Sequence, residues 1–393
     1  AMIRRSILVA SACGLGLLAC GEARASKATG SPVFIGLPSA SNPLVAFRVL
    51  FRVGAVDDPK GKEGLAALTA SMLGEGGTTQ RSYAEVLNAL YPLAATIRVY
   101  GDKESFVFEG TVHRDNMGAY ADLLAAQIVT PRFASEDFQR LRQNALDYVT
   151  KTLRGNDDEE LGKQAMATLM YQGHPYGRPS EGTVAGLTAI SLADVKAFHA
   201  TRFTRKRMVV ALAGGYSEEL AQAFVAKFHA LPERGAMQPA LRPPLRRKGK
   251  GKGMQVVIVS KDARANAISM GHPLTITRKD DDFYPLAVAA SYLGEHRTFN
   301  GVLMNEMREK RGLNYGDYAY IENFIQEGWT TFPLPNVPRR QQHFEIWIRP
   351  VAPANTVFAL RHALFETEKL IRDGIPQRGF EATRAFLLNY CTL

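Results

Sequence analysis

The sequence predicts an α+β fold made of two duplicated domains, each an antiparallel or mixed sheet packed by helices. Three observations lead to this prediction: a segment that occurs twice, strand and helix periodicities that follow one another in each copy, and a polar linker between the copies. With 393 residues, of which 46% are hydrophobic and 22% charged, the chain can bury two cores of ordinary globular type.

The repeated segment has a helical pattern. DFQRLRQNALDY at 137–148 aligns with GFEATRAFLLNY at 379–390, and the two share a phenylalanine, an arginine, a leucine and a tyrosine. Upstream of them, the strand-like SFVF at 105–108 pairs with HFEI at 343–346 at a similar spacing. Similar spacing over two segments indicates an internal duplication.

The chain begins with the pattern of an export signal, predicted for residues 1–25. Two arginines precede an apolar run at 7–19 that is too short for a membrane span. Two processing signals compete, because LLAC ending at Cys20 resembles a lipoprotein box and ARA at 23–25 fits a cleavage site. We therefore expect a periplasmic protein, either soluble or held by a lipid anchor at Cys20.

The domain boundaries follow from composition. The first domain is expected over 31–230, a linker rich in proline, glycine and basic residues over 231–253, and the second domain over 254–393. The linker is most simply a solvated connector. The second copy lacks a stretch equivalent to 155–214 of the first, so the second domain is expected to be shortened.

Within the first copy, Leu44–Val53 and Phe106–Val112 alternate as strands do. A helix follows with one apolar face, formed by Phe138, Leu141, Ala145, Val149 and Leu153. Another helix is expected to begin near Asn156. The acidic run at 157–160 suits the positive end of that helix dipole better than a metal site, because consecutive helical residues point in different directions.

The composition excludes some classes of function. The net charge is +10, but part of it lies in the leader and the linker, and the chain has neither an aromatic-interleaved basic motif nor a zinc knuckle. A nucleic-acid partner is therefore not expected. The three cysteines indicate no disulfide framework.

GLAALTASMLGEGGT at 64–78 resembles the inverted zinc motif HxxEH of the insulinase/pitrilysin peptidases. Ala67 and Ser71 stand where the two zinc-binding histidines would be, and Ala70 stands at the position of the catalytic glutamate. Zinc needs imidazole or carboxylate ligands and a carboxylate that can deprotonate its water. The resemblance therefore implies that this helix binds no metal and that this chain carries no cofactor.

The resemblance extends along the chain after the leader. The third zinc ligand of the family, a glutamate, falls on Tyr148, and Asp147 beside it is the nearby carboxylate. GHPYGRP at 173–179 and VVALAG at 209–214 also resemble family segments, which implies a structural role for His174. None of the eight histidines forms an HxxxH pair that could replace the site.

MREKRGLNYG at 307–316 resembles the LRExxGLxY segment of the same family. Arg308 and Tyr315 keep the family spacing, and Gly312 between them can end a helix in a left-handed cap before a strand that begins near Tyr315. An isolated pair at this spacing would most simply be a surface charge and a strand aromatic. The resemblance implies instead that the tyrosine donates a hydrogen bond to the developing oxyanion and that the arginine binds a peptide carbonyl or steadies the phenol.

Together these resemblances imply the non-catalytic subunit of a heterodimeric zinc endopeptidase. Arg308 and Tyr315 would serve catalysis and substrate binding in trans, opposite zinc held by a homologous partner chain with an intact HxxEH motif. Peptides or unfolded protein segments are the expected substrates. The alternative is a vestigial scaffold or assembly protein of the same fold with no role in proteolysis.

Overall fold

The computed structural model of the protein describes residues 24–26, 32–241, 254–296, 300–325 and 339–390. Most of the predicted leader, with Cys20, and 242–253 of the predicted linker lie outside the described residues. Within the described ranges, no helix is both long enough and apolar enough to cross a bilayer.

The described residues contain nine strands. In chain order they are β1 (Arg24–Ser26), β2 (Val33–Pro38), β3 (Leu44–Phe51), β4 (Arg98–Gly101), β5 (Phe106–His113), β6 (Met208–Gly214), β7 (Asn266–Leu274), β8 (Asp317–Tyr320) and β9 (Gln342–Val351).

The α-helices of the same ranges are α1 (Leu65–Glu75), α2 (Tyr83–Leu90), α3 (Met117–Val129), α4 (Ser135–Asp147), α5 (Asp158–Met170), α6 (Val184–Ala189), α7 (Leu192–Arg202), α8 (Glu218–Lys227), α9 (Phe283–Gly294), α10 (Thr356–Asp373) and α11 (Gln377–Tyr390). Two segments are π-helical: Tyr148–Asn156 directly after α4, and Met304–Glu309 before β8.

The chain forms two compact units. Among the described residues, the first unit contains those up to Lys151 and Arg178–Ala240, and the second unit contains Thr152–Gly177 and those from Leu241 onward. Each unit has its own sheet and its own hydrophobic core.

The first unit contains a six-stranded mixed sheet in the order β1-β2-β6-β3-β5-β4. Only β2 and β6 are parallel neighbours, and the other pairs are antiparallel. In β3, alternate side chains enter the core, namely Val45, Phe47, Val49 and Phe51. This alternation is the strand pattern that the sequence shows, because successive side chains of a strand point to opposite faces of a sheet.

The second unit repeats part of this arrangement. Its antiparallel sheet has the order β7-β9-β8, which matches β3-β5-β4 of the first sheet in chain order and in pairing. In both units the longest hairpin strand, β5 or β9, is followed by a short 3₁₀ turn and two helices. The predicted duplication is therefore confirmed by topology. Within the described residues, the second sheet has no counterpart of β2 or β6.

The segment Thr152–Gly177 departs from the contiguous first domain that was predicted over 31–230. It belongs to the second unit, where α5 packs against β7 and β9. Two ion pairs hold α5 there: Asp158 lies 2.5 Å from Lys261 Nζ, and Glu159 lies 2.7 Å from Arg349 Nε. Asp157 accepts a hydrogen bond from the backbone N–H of Glu160 and so caps the helix, as expected for the acidic run.

Two neighbouring aspartates organise the loop that leads into α1. Asp58 accepts hydrogen bonds from the backbone N–H groups of Gly64 and Ala66, both at 2.7 Å, and thus satisfies donors at the start of the helix. Asp57 is fully buried and accepts two hydrogen bonds of 2.8 Å from Arg207 Nη2. Burial raises the pKa of Asp57, and the guanidinium of Arg207 opposes that rise.

Candidate functional site

Helix α1 carries the positions of the missing zinc ligands. Ala67 and Ser71 are partly buried and lie one turn apart on the same face of the helix, and Ala70 is buried. The opposite side of α1 enters the core of the first unit, where the helix packs against α4 and α7. This helix therefore contributes packing to its unit and presents only methyl and hydroxyl groups at the ligand positions.

The position of the third ligand offers no replacement. Tyr148 begins the π-helical segment and packs at the border of the same core as Ala67. The neighbouring Asp147 is held along its own helix, because Gln143 Nε2 and Lys151 Nζ each lie 2.8 Å from its carboxylate oxygens. These two hydrogen bonds lower the pKa of Asp147, that of Lys151 having the larger effect.

The structure brings Arg308 and Tyr315 together. The guanidinium carbon of Arg308 lies 4.9 Å from the centre of the Tyr315 ring, within the range of a cation–π contact. Gly312 has a φ of +62°, so the predicted left-handed cap is confirmed, and its N–H donates to the carbonyl of Arg308 at 2.7 Å. The strand that follows begins at Asp317, two residues after the predicted start near Tyr315.

Tyr315 is 67% exposed. Among the residues that the structure describes, no hydrogen bond involves its hydroxyl group, so the phenol is available to a ligand. Arg308 is partly buried and is steadied by Glu309, 3.6 Å from its Nε. A fixed ring edge with an available O–H is the arrangement that an oxyanion donor requires.

Two further residues complete this site, and sequence reasoning missed both. Arg349 of β9 places its guanidinium carbon 5.2 Å from the centre of the Tyr315 ring. Glu159 of α5 accepts a hydrogen bond of 2.7 Å from Arg349 Nε and so holds that side chain in position. The ring of Tyr315 therefore lies within cation–π range of two guanidinium groups.

Polar side chains close to Tyr315 in the chain connect its turn to the second sheet. Asn314 Nδ2 donates to Asp317 Oδ1 at 2.7 Å and to the backbone carbonyl of Arg349 at 3.1 Å. The second carboxylate oxygen of Asp317 is buried and has no hydrogen-bond partner in the structure. Burial raises the pKa of Asp317 to about 7, against the hydrogen bond from Asn314. The two hydrogen bonds of Asn314 therefore join the turn at Tyr315 to β8 and β9.

The raised pKa of Asp317 makes stability depend on pH. The folded protein keeps this proton up to about pH 7, whereas the unfolded chain releases it near 3.8, so the free energy of unfolding falls as the pH rises between these values. We expect Asp317→Asn to gain stability relative to the parent chain at pH 8 but not at pH 4. Because one pKa unit corresponds to about 1.4 kcal/mol, the gain is at most about 4 kcal/mol.

Urea unfolding at both pH values measures this effect, with the exposed Asp281→Asn as the matched control. An equal change at pH 4 and pH 8 for the Asp317 variant would contradict the assignment.

His174 lies in an aromatic cluster of the second unit. Its ring packs against Tyr171 and Tyr176, and its Nδ1 accepts the backbone N–H of Tyr176 at 3.1 Å. These contacts fit the structural role that the sequence resemblance implies.

Comparison with known families decides the identity of the fold. Residues 189–386, about half of the chain, match the family described as "Peptidase M16 inactive domain". The chain belongs to the M16 peptidase family. Residues 35–184 of this M16 chain match "Insulinase (Peptidase family M16)", and the predicted resemblance to the insulinase/pitrilysin peptidases is confirmed.

Relatives of this M16 chain include an uncharacterized zinc protease of Mycobacterium tuberculosis. The two are 27% identical over 292 residues, which cover 73% of this chain and 64% of the relative. The M16 chain thus spans less than two thirds of that relative's length.

Solved structures share the fold. The peptidase M16 inactive domain from Pseudomonas fluorescens superposes with a TM-score of 0.81 at 22% identity, over 94% of this chain and 84% of that one. A protease from Helicobacter pylori superposes with a TM-score of 0.77 at 15% identity, over 95% and 86% of the two chains. Both matches extend over both units of this M16 chain, so the predicted α+β fold of two related domains is confirmed.

Proposed function

We propose that this M16 chain is the non-catalytic subunit of a heterodimeric zinc endopeptidase. The observation that supports the proposal most strongly is the exposed phenol of Tyr315, whose ring lies within cation–π range of two guanidinium groups, in a chain whose zinc helix carries no ligands. Zinc and the catalytic glutamate belong to a homologous partner chain with an intact HxxEH motif.

The chemistry divides between the two chains. Zinc held by the HxxEH residues of the partner would supply a Lewis acid for the scissile carbonyl and for the attacking water. The Tyr315 hydroxyl donates a hydrogen bond to the oxyanion as it forms, and Arg308 binds a neighbouring peptide carbonyl while it holds the ring. Arg349 makes a second cation–π contact with the Tyr315 ring, and Glu159 positions the Arg349 side chain through a hydrogen bond.

Peptides and unfolded protein segments are the proposed substrates, since the relatives are described as zinc proteases. The leader-like N-terminus supports export to the periplasm, with or without a lipid anchor at Cys20. The partner, the substrates and the location are parts of the proposal.

The experiment mixes this chain with a related chain that has HxxEH but lacks the arginine and tyrosine, and follows cleavage of a fluorogenic peptide. Neither chain alone should cleave, and the mixture should. A mixture without activity, in spite of a stable complex, would favour the vestigial scaffold.

Arg308→Lys tests the geometry of the pair. Lysine keeps the charge but lacks the planar group that stacks on an aromatic ring and binds a carbonyl in two directions. We expect the activity of the mixture to fall about tenfold, a loss of about 1.4 kcal/mol in transition-state stabilisation.

Arg311→Lys is the matched control, because Arg311 lies three residues away and contacts Glu306 rather than Tyr315. If the mixture that contains Arg308→Lys were as active as the parent mixture, Arg308 would not be a residue of the site.

A further inference from the structure

A separate cluster of ionisable side chains lies in the second unit. It consists of Glu306 from the π-helical segment and of His362 and Glu366 from α10. One ligand atom of each residue lies within 4.8 Å of the other two. His362 and Glu366 are four residues apart on one face of the helix, with His362 Nε2 3.9 Å from Glu366 Oε1.

The cluster contains buried polar atoms that the protein does not satisfy. His362 Nε2 is buried without a hydrogen-bond partner in the structure. The Glu366 side chain is only 6% exposed, and no hydrogen bond reaches its carboxylate from the residues that the structure describes. Buried polar groups are nearly always paired. The unpartnered Nε2 of His362 beside the largely buried carboxylate of Glu366 indicates a missing ligand.

The ring of His362 has two aromatic neighbours. Phe358 and Phe365 lie with their ring planes nearly parallel to it, at 5.6 and 6.2 Å between ring centres. These contacts limit the freedom of the imidazole, which reduces the entropy that a bound ligand would cost.

We propose that Glu306, His362 and Glu366 bind a first-row divalent metal ion, for which Zn²⁺ is the probe. One imidazole and two carboxylates are a ligand set that zinc accepts. Ligand atoms about 2.0–2.2 Å from a common ion lie roughly 3 to 4 Å apart, so the 3.9 Å between His362 and Glu366 fits with little movement.

The surrounding charges allow this site. Glu306 now pairs with Lys310 at 2.5 Å and with Arg311 at 3.1 Å, and both cations reach solvent. Exposed ion pairs contribute little to stability, so an ion that displaces these two side chains loses little. Burial lowers the pKa of His362, with Arg311 acting in the same direction and Glu366 and Glu306 opposing it.

This site departs from the expectation that the chain carries no metal, which was drawn from the ligand positions in α1, from Tyr148 and from the spacing of the histidines. Glu306 lies two residues before Arg308, so the ion ties the segment that carries Arg308 to α10.

Titration of the chelator-treated full chain with Zn²⁺, by calorimetry and metal analysis, tests the proposal. We expect one ion per chain and a higher thermal midpoint with zinc. Glu366→Gln and His362→Ala should weaken binding about tenfold or more. Glu306 lies at the more exposed edge of the cluster. Glu306→Gln therefore still tests the site if the variants at His362 or Glu366 do not fold.

Two variants serve as matched controls. Glu368→Gln changes an exposed carboxylate on the same helix, and His113→Ala removes an exposed histidine that lies 3.3 Å from Asp115. Neither should change the affinity for zinc. Absence of binding to the parent chain, or the same affinity in the parent, Glu306 and Glu366 variants, would overturn the proposal.

Discussion

Replacing Tyr315 by phenylalanine is expected to lower the peptidase activity of the mixed subunits by about 100-fold or more. The variant keeps the ring, and with it the contacts to Arg308 and Arg349, and loses only the hydroxyl group. Because the hydrogen bond to the oxyanion exists only in the transition state, kcat should fall while KM changes little. Stopped assays over a range of peptide concentrations separate the two constants.

The matched control is Tyr284→Phe, which removes an exposed hydroxyl elsewhere in the second unit. This variant should retain the activity of the parent mixture. If Tyr315→Phe also retained it, the proposed trans-acting role would be wrong. If it raised KM alone, Tyr315 would be a binding residue with no part in stabilising the oxyanion.

Replacing Arg207 by alanine is expected to lower the free energy of unfolding by about 3–5 kcal/mol. Asp57 would then be left fully buried without the two hydrogen bonds of 2.8 Å that it now accepts from Arg207. Its remaining cation, Arg202, lies at 3.7 Å. The loss reflects a buried charge without its main partner, and protonation of Asp57 would reduce it. Urea unfolding at neutral pH measures the difference.

Lys206→Ala is the control for this experiment, because Lys206 lies next in the chain and pairs with Glu233 at the surface, at 3.7 Å. Its effect should stay below about 1 kcal/mol. A loss of that small size for Arg207→Ala would mean that water or a neighbouring group replaces the guanidinium. The loop before α1 would then not depend on the ion pair.

Much of the fold could be predicted from local patterns. The alternation in β3 and the positive φ of Gly312 follow from residue chemistry within a few positions. The duplication was visible because two helices with the same pattern follow two strands at a similar spacing. The structure extends it to the strand order β3-β5-β4 and β7-β9-β8, which no local pattern reveals.

The parts that the sequence did not predict depend on contacts between distant residues. Arg349 reaches Tyr315 because β8 pairs with β9 in a register that sets the backbone N–H of Arg349 opposite the carbonyl of Gly316, at 3.1 Å. Glu159 joins them because α5 packs with the second unit. The acidic run of α5 was correctly assigned to a helix start, but its ion pair could not be inferred from helix periodicity alone.

The outer edge of β7 affects how the isolated protein will behave in solution. In the first sheet β6 covers the equivalent edge of β3, but no strand of the described residues pairs with the outer side of β7. Unpaired strand edges promote self-association. β7 carries two features that oppose this, a register irregularity between Asn266 and Ile268 and a proline at 273, which has no N–H to donate. Purification at low protein concentration therefore suits this chain.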